Sequence, residues 1–519
     1  MTWTDRELDM TISFSLPVDG TMQGSVHHSL AAAENANVAR QAAGHLRDAL
    51  IGSGEATTIL LKAAAGAGKS YILKQLVVEA ADLGRCQRVA VTAFQNRQLW
   101  PLAESLGVSL GRDSVCLFVA DAVSSELPAA VLRNAIIATT ASQIPTSCKV
   151  VVATSHKLGS TGERVRLIAH LGNVRAAADG AESPFDVLFV DEAWQLPHHR
   201  FDTVRALAPI VVGVGDVGQL PPIEVGTNPW RGDPGYNPYR AWPTAVEHES
   251  GAWAVELPAV WRPASEQLPL WRAFYPEWES LNCVAAPGDR AISLHPMDEV
   301  ATAVWTQVAT GVPTLLEVDG LLPAEASDVD LPLVAVAERL LDQLFSTGFE
   351  LRTVRYDETG SPLSTEAVSS SRNPGPDPLV VVLATRNQAV DDAADAVDRL
   401  RANLNLTELD ILASTVDKWQ GQTNGITVAL HPLSGATKLD DFNSAFGRLA
   451  VACTRATHGL LVLARPGLDR LLTEAPARPG TPYGEPGNRH LPRQTHQRIL
   501  ATFARGTMTV TPSDQPAEQ

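Results

Sequence analysis

Short, near-continuous apolar runs separated by helical stretches set the strongest limit on what this chain can fold into. "TTILLKA", "RVAVTAF", "KVVVATS", "DVLFVDE" and "IVVGVGD" follow one another through the first half, several of them leading into helical patterns. A strand whose residues alternate polar and apolar has one wet face. These runs are apolar on both faces, the mark of a parallel sheet covered by helices on either side. A second series, "PLVVVLATR", "ILASTVDKW", "GITVALH" and "HGLLVLAR", repeats the pattern. The expected fold is therefore α/β, with two parallel-sheet domains in tandem. One core rarely grows beyond about 250 to 300 residues, so a chain of 519 residues is expected to hold two to four domains.

The same pass suggests boundaries. Residues 1–30 are expected to be irregular. "AAAENANVARQAAGHLRDAL" has apolar spacing near that of a helix and opens a first domain over 31–257. A second domain is expected over 258–470, with a mobile loop near 356–377 in "DETGSPLSTEAVSSSRNPGPDP". Residues 471–519 read as a Pro- and Gly-rich tail with one short helix in "HQRILATFA" and a disordered end.

Composition excludes more than it assigns. No run approaches the roughly 18 to 20 apolar residues of a membrane span, so no membrane association is expected. The N-terminus carries acids where a secretory signal has positive charge, and the five cysteines are scattered with no C-x-x-C pair. Both features fit reduced thiols in a cytoplasmic compartment and argue against a zinc site. A net charge of −17 lowers the expectation of nucleic-acid binding but leaves room for a narrow basic groove.

The chemistry begins at "AAAGAGKS", residues 63–70, between a strand and a helical stretch. Backbone N–H groups of Ala65, Gly66, Ala67 and Gly68 can close around phosphate oxygens, Lys69 adds a mobile positive charge, and Ser70 can ligate Mg²⁺. Ala63 stands where the strict P-loop pattern has its first glycine. "FDVLFVDEAWQLP" supplies the partner: a buried strand ending in Asp191, a candidate Mg²⁺ ligand, and Glu192, a candidate base for the attacking water. The two together indicate an ATP hydrolase with ATP and Mg²⁺ as cofactors.

Further stretches narrow the class. "VGVGDVGQLPPI" ends a strand with Asp216 and places Gln219 in a Pro-fixed turn, suited to sensing a γ-phosphate. "ELPAVWRP" offers Arg262, "STVDKWQGQTNGITVAL" a polar loop between two strands, and "GRLAVACTRATHGLLVL" places Arg455 before a strand. In order, "AGAGKS", "DEAWQ", "GDVGQLPP", "WRP", "TVDKWQGQ" and "VACTRA" resemble the motif set of superfamily 1 helicases, over roughly residues 41 to 465.

That resemblance implies two RecA-like domains with ATP in the cleft between them. Lys69 and Ser70 would meet phosphate and metal, Asp191 the Mg²⁺, and Glu192 would be the base. Gln195 and Gln219 would sense the γ-phosphate or the attacking water, near Asp216 and Gly421. Arg262 and Arg455 would be arginine fingers, and Gln41 the adenine-reading glutamine. Single-stranded DNA or RNA would be met by Thr92, Asn96, Arg97, Thr154, Ser155, Thr415 and Trp419, through contacts that carry no sequence information. The sequence also leaves room for a protein partner, and a monomer is compatible with it.

Two departures stand out. After TVDKWQGQ the family commonly has Glu and then Asp, where this chain has Thr423 and Gly425. In the last motif the usual Asn is Ala450. "DEAWQLP", "QLPP" and "PLWRAFYPEWESL" resemble the 5′-to-3′ branch of the nonsense-mediated decay helicase and RecD-like enzymes, whereas "VVVLATRNQAVDDA" also aligns with the UvrD-like branch. The favoured reading is a 5′-to-3′ helicase or translocase. Its rival is an ATPase switch that binds nucleic acid or a partner without unwinding. A small-molecule P-loop kinase leaves the second motif series unexplained. His198, His199 and Arg200 read as a surface cluster, and tryptophans such as Trp242 and Trp271 as packing.

Overall fold

The computed structural model describes residues 12–20, 24–174, 183–218, 222, 237–326, 328–439, 446–475 and 492–510. Regular structure begins with a two-residue strand, β1 (Phe14–Ser15), and the 24-residue helix α1 (His28–Ile51). The chain divides into two compact units, one built mainly on residues 34–257 and the other on residues 1–33 and 258–480 with 490–519.

The first unit carries an eight-stranded sheet. Its strands are β2 (Thr58–Ala63), β3 (Val89–Ala93), β4 (Val115–Phe118), β5 (Ile136–Ala138), β6 (Val150–Thr154), β7 (Val187–Asp191), β8 (Ile210–Gly215) and β9 (Ala252–Leu257). Helices α2 (Lys69–Asp82) and α3 (Asn96–Leu110) follow β2 and β3. The order is β5-β4-β6-β3-β7-β8-β2-β9, and every pairing is parallel. Every residue of β3, β7 and β8 is buried, as expected for strands covered on both faces. Gly213 and Gly215 make this packing possible. A Cβ on Gly213 would lie 2.8 Å from the Trp242 ring, which stacks on Phe201 at 3.9 Å between centroids.

The second unit carries a seven-stranded sheet. Within the unit, chain order runs through a short parallel pair, β10 (Ala259–Val260) with β11 (Asn282–Cys283), and then β12 (Arg290–Leu294) and β13 (Thr314–Asp319). β14 (Phe349–Tyr356), β15 (Pro362–Ser369), β16 (Val380–Ala384), β17 (Ile411–Thr415), β18 (Asn424–Leu430), β19 (Ala456–Ala464) and β20 (Ala504–Thr509) follow, and the seven-stranded sheet has the order β1-β20-β13-β19-β18-β16-β17. All contacts in the large sheet are parallel except β1 with β20. The expected α/β class, with parallel sheets in tandem, is what the chain has.

Two expectations are corrected. The segment taken as a mobile loop near 356–377 is half of a hairpin: β15 pairs antiparallel with β14, and β12 completes a three-stranded sheet. Its turn is built by Asp357, whose Oδ1 accepts from the N–H groups of Thr359 and Ser361 at 2.9 and 3.0 Å, with Gly360 at φ 78°. The tail also holds more than one helix. After the helix Pro492–Leu500, β20 enters the sheet beside β13. Ala504, Gly506, Met508 and Val510 are buried, in alternation with more exposed neighbours.

Candidate phosphate and metal site

Strand order alone brings the phosphate-site candidates together. β2 leads into the Gly-rich loop, β8 lies beside β2, and β7 lies beside β8, all pointing the same way. In register, Lys62 faces Gly215 and Asp191 faces Val214. Asp191 and Asp216 therefore leave the carboxyl edge of the sheet next to the loop that follows Ala63, where open α/β sheets place their ligands.

The loop is held by backbone geometry. Gly66 and Gly68 have φ of 76° and 90°, which an L side chain adopts at a cost of about 1–2 kcal/mol. Ala65 and Ala67 are each 1% exposed, and Ala67 N–H donates to Ala64 O at 3.1 Å. Asn35 on α1, 4% exposed, donates from Nδ2 to Ala67 O at 3.1 Å and so ties the helix to the loop. The sequence reading missed Asn35. Its signal was there: it lies on the stripe of Ala31, Val38, Ala42 and Leu46, which the structure buries.

Lys69 Nζ stands 3.1 and 3.3 Å from the two carboxylate oxygens of Glu192 and 3.7 Å from Asp216 Oδ2. Asp216 Oδ1 accepts from Gly218 N–H at 2.9 Å. Glu192 has the left-handed backbone φ 49°, ψ 48°, rare for a residue with a side chain. Its N–H donates to Asp191 Oδ1 at 3.0 Å, and its carbonyl accepts from Gln195 N–H at 2.8 Å. Gly215 lets this turn fold over the end of β8, since a Cβ there would lie 2.8 Å from Ala193 N. Burial first, and then the Glu192 charge, push the Asp191 carboxyl above its ordinary range, while Lys69 pulls it back. A buried acid penalised in this way suits a cation ligand. With only Asp191 and the exposed Ser70 hydroxyl as candidate protein ligands, the donors are hard oxygens that fit Mg²⁺ bound largely through phosphate and water.

The remaining candidates fall into three groups. Gln195 is 9% exposed and close to α3, whereas Gln41 is exposed on α1, and Gln219 lies outside the described residues. Thr92, Thr154 and Ser155 are buried, with the Thr154 hydroxyl accepting from Lys157 N–H at 3.2 Å. Asn96 and Arg97 reach the surface at the start of α3.

The third group lies in the second unit. Arg262 and Arg455 meet at Thr454: Arg262 Nη1 donates to its carbonyl at 3.1 Å and Arg455 Nη2 to its hydroxyl at 2.8 Å. Arg455 is 1% exposed. Thr415 accepts from Lys418 N–H, Trp419 Nε1 donates to Asn424 Oδ1 at 2.9 Å, and Gly421 is exposed at φ 84°. Asn424 is fully buried and fully used, donating to Ile426 O and Thr427 Oγ1. Gly425 explains one departure from the motif. A Cβ there would lie 2.2 Å from Leu351 Cδ1 and 2.7 Å from Leu379 O, so β14 occupies the space an aspartate would need.

His198 and His199 are engaged with Asp202 and the Pro238 carbonyl, and no cluster of three metal-ligating side chains occurs among the described residues. No helix among them is long and apolar enough to cross a membrane.

Comparisons with known proteins bear on the first unit most directly. No curated protein matches the chain. Among solved structures, the chain is similar to the helicase of the arterivirus PRRSV, at 13% identity and TM-score 0.37, covering 90% of this chain and 67% of that one. It is also similar to an arterivirus nonstructural protein 10 helicase in complex with DNA, at 14% identity and TM-score 0.37, covering 81% and 63%. A DUF1998 helicase, MrfA, bound to DNA gives 9% identity and TM-score 0.39, covering 81% and 46%. The chain thus spans about half to two thirds of their lengths. Residues 41–229 match the family model of an AAA domain, and this stretch holds the loop, Lys69, Asp191, Glu192 and Asp216. The first unit is thus similar to an AAA domain, a P-loop nucleotide-binding fold.

Proposed function

We propose that the chain is an ATP-dependent nucleic-acid helicase or translocase, hydrolysing ATP to move along single-stranded DNA or RNA in the 5′-to-3′ direction. The observation that carries the ATPase part is Lys69 held between Glu192 and Asp216 at the mouth of a positive-φ glycine loop. In this reading the loop N–H groups and Lys69 hold the triphosphate, and Ser70 and Asp191 hold Mg²⁺, which supplies charge neutralisation at the phosphates. Glu192 orients the attacking water and takes its proton. Gln195, Asp216 and Gln219 report on the γ-phosphate, and Gln41 and Gly421 contribute to the nucleotide site. Arg262 and Arg455 supply finger charge. The motor part rests on the ordered second motif series, with Thr415 and Trp419 joining Asn96 and Arg97 on the strand.

A second reading is a nucleic-acid- or partner-regulated ATPase that binds without unwinding. The altered loop after TVDKWQGQ, with Gly425 filled by Leu351, is what favours it. ATP hydrolysis with and without single-stranded DNA and RNA, run beside Glu192→Gln, decides between them. Stimulation of about tenfold or more by either polymer supports the motor, and 5′- and 3′-tailed duplexes then read polarity. Stimulation without unwinding of either duplex, or hydrolysis indifferent to both polymers, favours the switch.

A further inference from the structure

One side chain outside the motif roles carries a consequence for Gln195. Gln98, in the first turn of α3, makes two hydrogen bonds through its amide. Its Oε1 accepts from Gln95 N–H at 3.0 Å, and its Nε2 donates to Gln195 Oε1 at 3.3 Å. The direction of this chain is not arbitrary. Gln95 N–H is a backbone donor that cannot flip, so Gln98 must present oxygen to it and nitrogen to Gln195. Gln195 must then present oxygen to Gln98, which leaves its own Nε2 facing the other way. That Nε2 is buried and has no hydrogen-bond partner among the described residues, in a side chain 9% exposed.

A buried N–H donor left without an acceptor is costly unless a ligand supplies one. Gln195 sits three residues past Glu192, in the turn its N–H closes onto the Glu192 carbonyl. The acceptor that the proposed reaction brings to this turn is a phosphate oxygen. We propose that Gln98 is a positioning residue: it fixes the Gln195 amide so that an N–H donor, and not the carbonyl, faces the terminal phosphate of a bound nucleoside triphosphate. This rests on the ATPase reading and deepens it. Gln195 then recognises the γ-phosphate as a donor, and its Oε1 is unavailable to take a proton from the attacking water.

The test compares binding of ADP and of a non-hydrolysable imido analogue of ATP to the full chain, with kcat and KM for ATP. Gln98→Met keeps the length of the side chain and removes its amide. Gln98→Glu still accepts from Gln95 N–H but has no donor for Gln195 Oε1. Both are expected to lower the preference for the triphosphate over ADP by about tenfold or more, the worth of a hydrogen bond to a charged group. ADP affinity stays within about twofold, which reports that the fold and the loop are intact. Adding Gln98→Met to Gln195→Ala is expected to cost nothing further, because the two residues act through one donor. If the wild type hydrolyses ATP and Gln98→Met leaves the preference unchanged, or adds fully to Gln195→Ala, the positioning role is overturned while the ATPase reading stands. A wild type that binds neither nucleotide overturns both.

Discussion

Lys69 and Glu192 form an ion pair in which the ammonium reaches both oxygens of the carboxylate, within 3.3 Å, and each side chain is only 12% exposed. The Glu192 charge balances the Lys69 ammonium, and Asp216 Oδ2 lies 3.7 Å from the same nitrogen. A triphosphate would compete for Lys69 and release Glu192 to face water. Glu192→Gln is therefore expected to cut turnover by about 100-fold or more while nucleotide still binds, as removing a general base does. Lys69→Ala should lose nucleotide binding itself. Steady-state hydrolysis beside equilibrium binding of a fluorescent nucleotide separates the two.

Asn35 makes a second prediction. Its hydrogen bond to Ala67 O is buried, so Asn35→Ala leaves a loop carbonyl without that donor, at about 1–3 kcal/mol. The cost should appear as weaker nucleotide affinity, with kcat changed far less than KM. An unchanged KM would show that the loop holds its shape without α1.

Gly425 sets a third. Gly425→Asp, which restores the residue usual in the resembling family, is expected to destabilise the second unit by at least about 1–3 kcal/mol through overpacking. Leu351→Ala should relieve only part of this, since the Leu379 carbonyl would still stand 2.7 Å from the new Cβ. Chemical denaturation of the single and double variants measures both effects.

A fourth concerns pH. His431 is fully buried, and its Nδ1 accepts from Leu433 N–H at 3.1 Å, which only an unprotonated ring nitrogen can do. Burial, and then the nearby His496 and Arg505, lower its pKa to about 3. A histidine whose pKa is lower folded than unfolded stabilises nothing extra at high pH and costs stability as pH falls below the unfolded value near 6.5. The expected loss is about 1–2 kcal/mol between pH 8 and pH 5.5. His458, which burial and then Arg290 also lower to about 3, adds a similar share, so His431→Asn, which keeps an acceptor for Leu433 and cannot titrate there, should remove about half of the combined slope.

The fifth follows from the position of Gln98. Its acceptor bond is made to Gln95, one residue before Asn96 and Arg97, the surface candidates for strand contact. Gln98→Met is expected to reduce the stimulation of hydrolysis by oligothymidylate severalfold. Arg97→Ala should instead raise the oligothymidylate concentration needed for half-maximal stimulation. Equal stimulation in wild type and Gln98→Met would separate the glutamine from strand sensing.

Much of this arrangement was legible in the sequence, because parallel strands buried on both faces leave long apolar runs, and the phosphate loop must follow one of them. β3, β7 and β8 are of this kind. β15 was not recognised because Ser, Thr and Pro write both exposed strands and loops, and β20 because its buried face is only Ala504, Gly506 and Met508, too little apolar surface to mark a strand. Asn35 and Gln98 escaped for another reason. Each is an amide that acts on a motif along the chain; the spacing of α1 marks Asn35 as buried, but spacing within a helix does not say which partner a buried amide meets.

The place of β20 has a consequence for synthesis. β13 lies between β19 and β20, and β1 pairs with β20 alone. As the chain leaves the ribosome, one edge of β13 stays unpaired and β1 has nothing to dock on until residues 504–509 are made. An open parallel edge of this kind invites pairing with another nascent chain. The second unit thus completes its sheet only after residues 504–509 have been made, and until then its β13 edge is the one open to pairing with another chain.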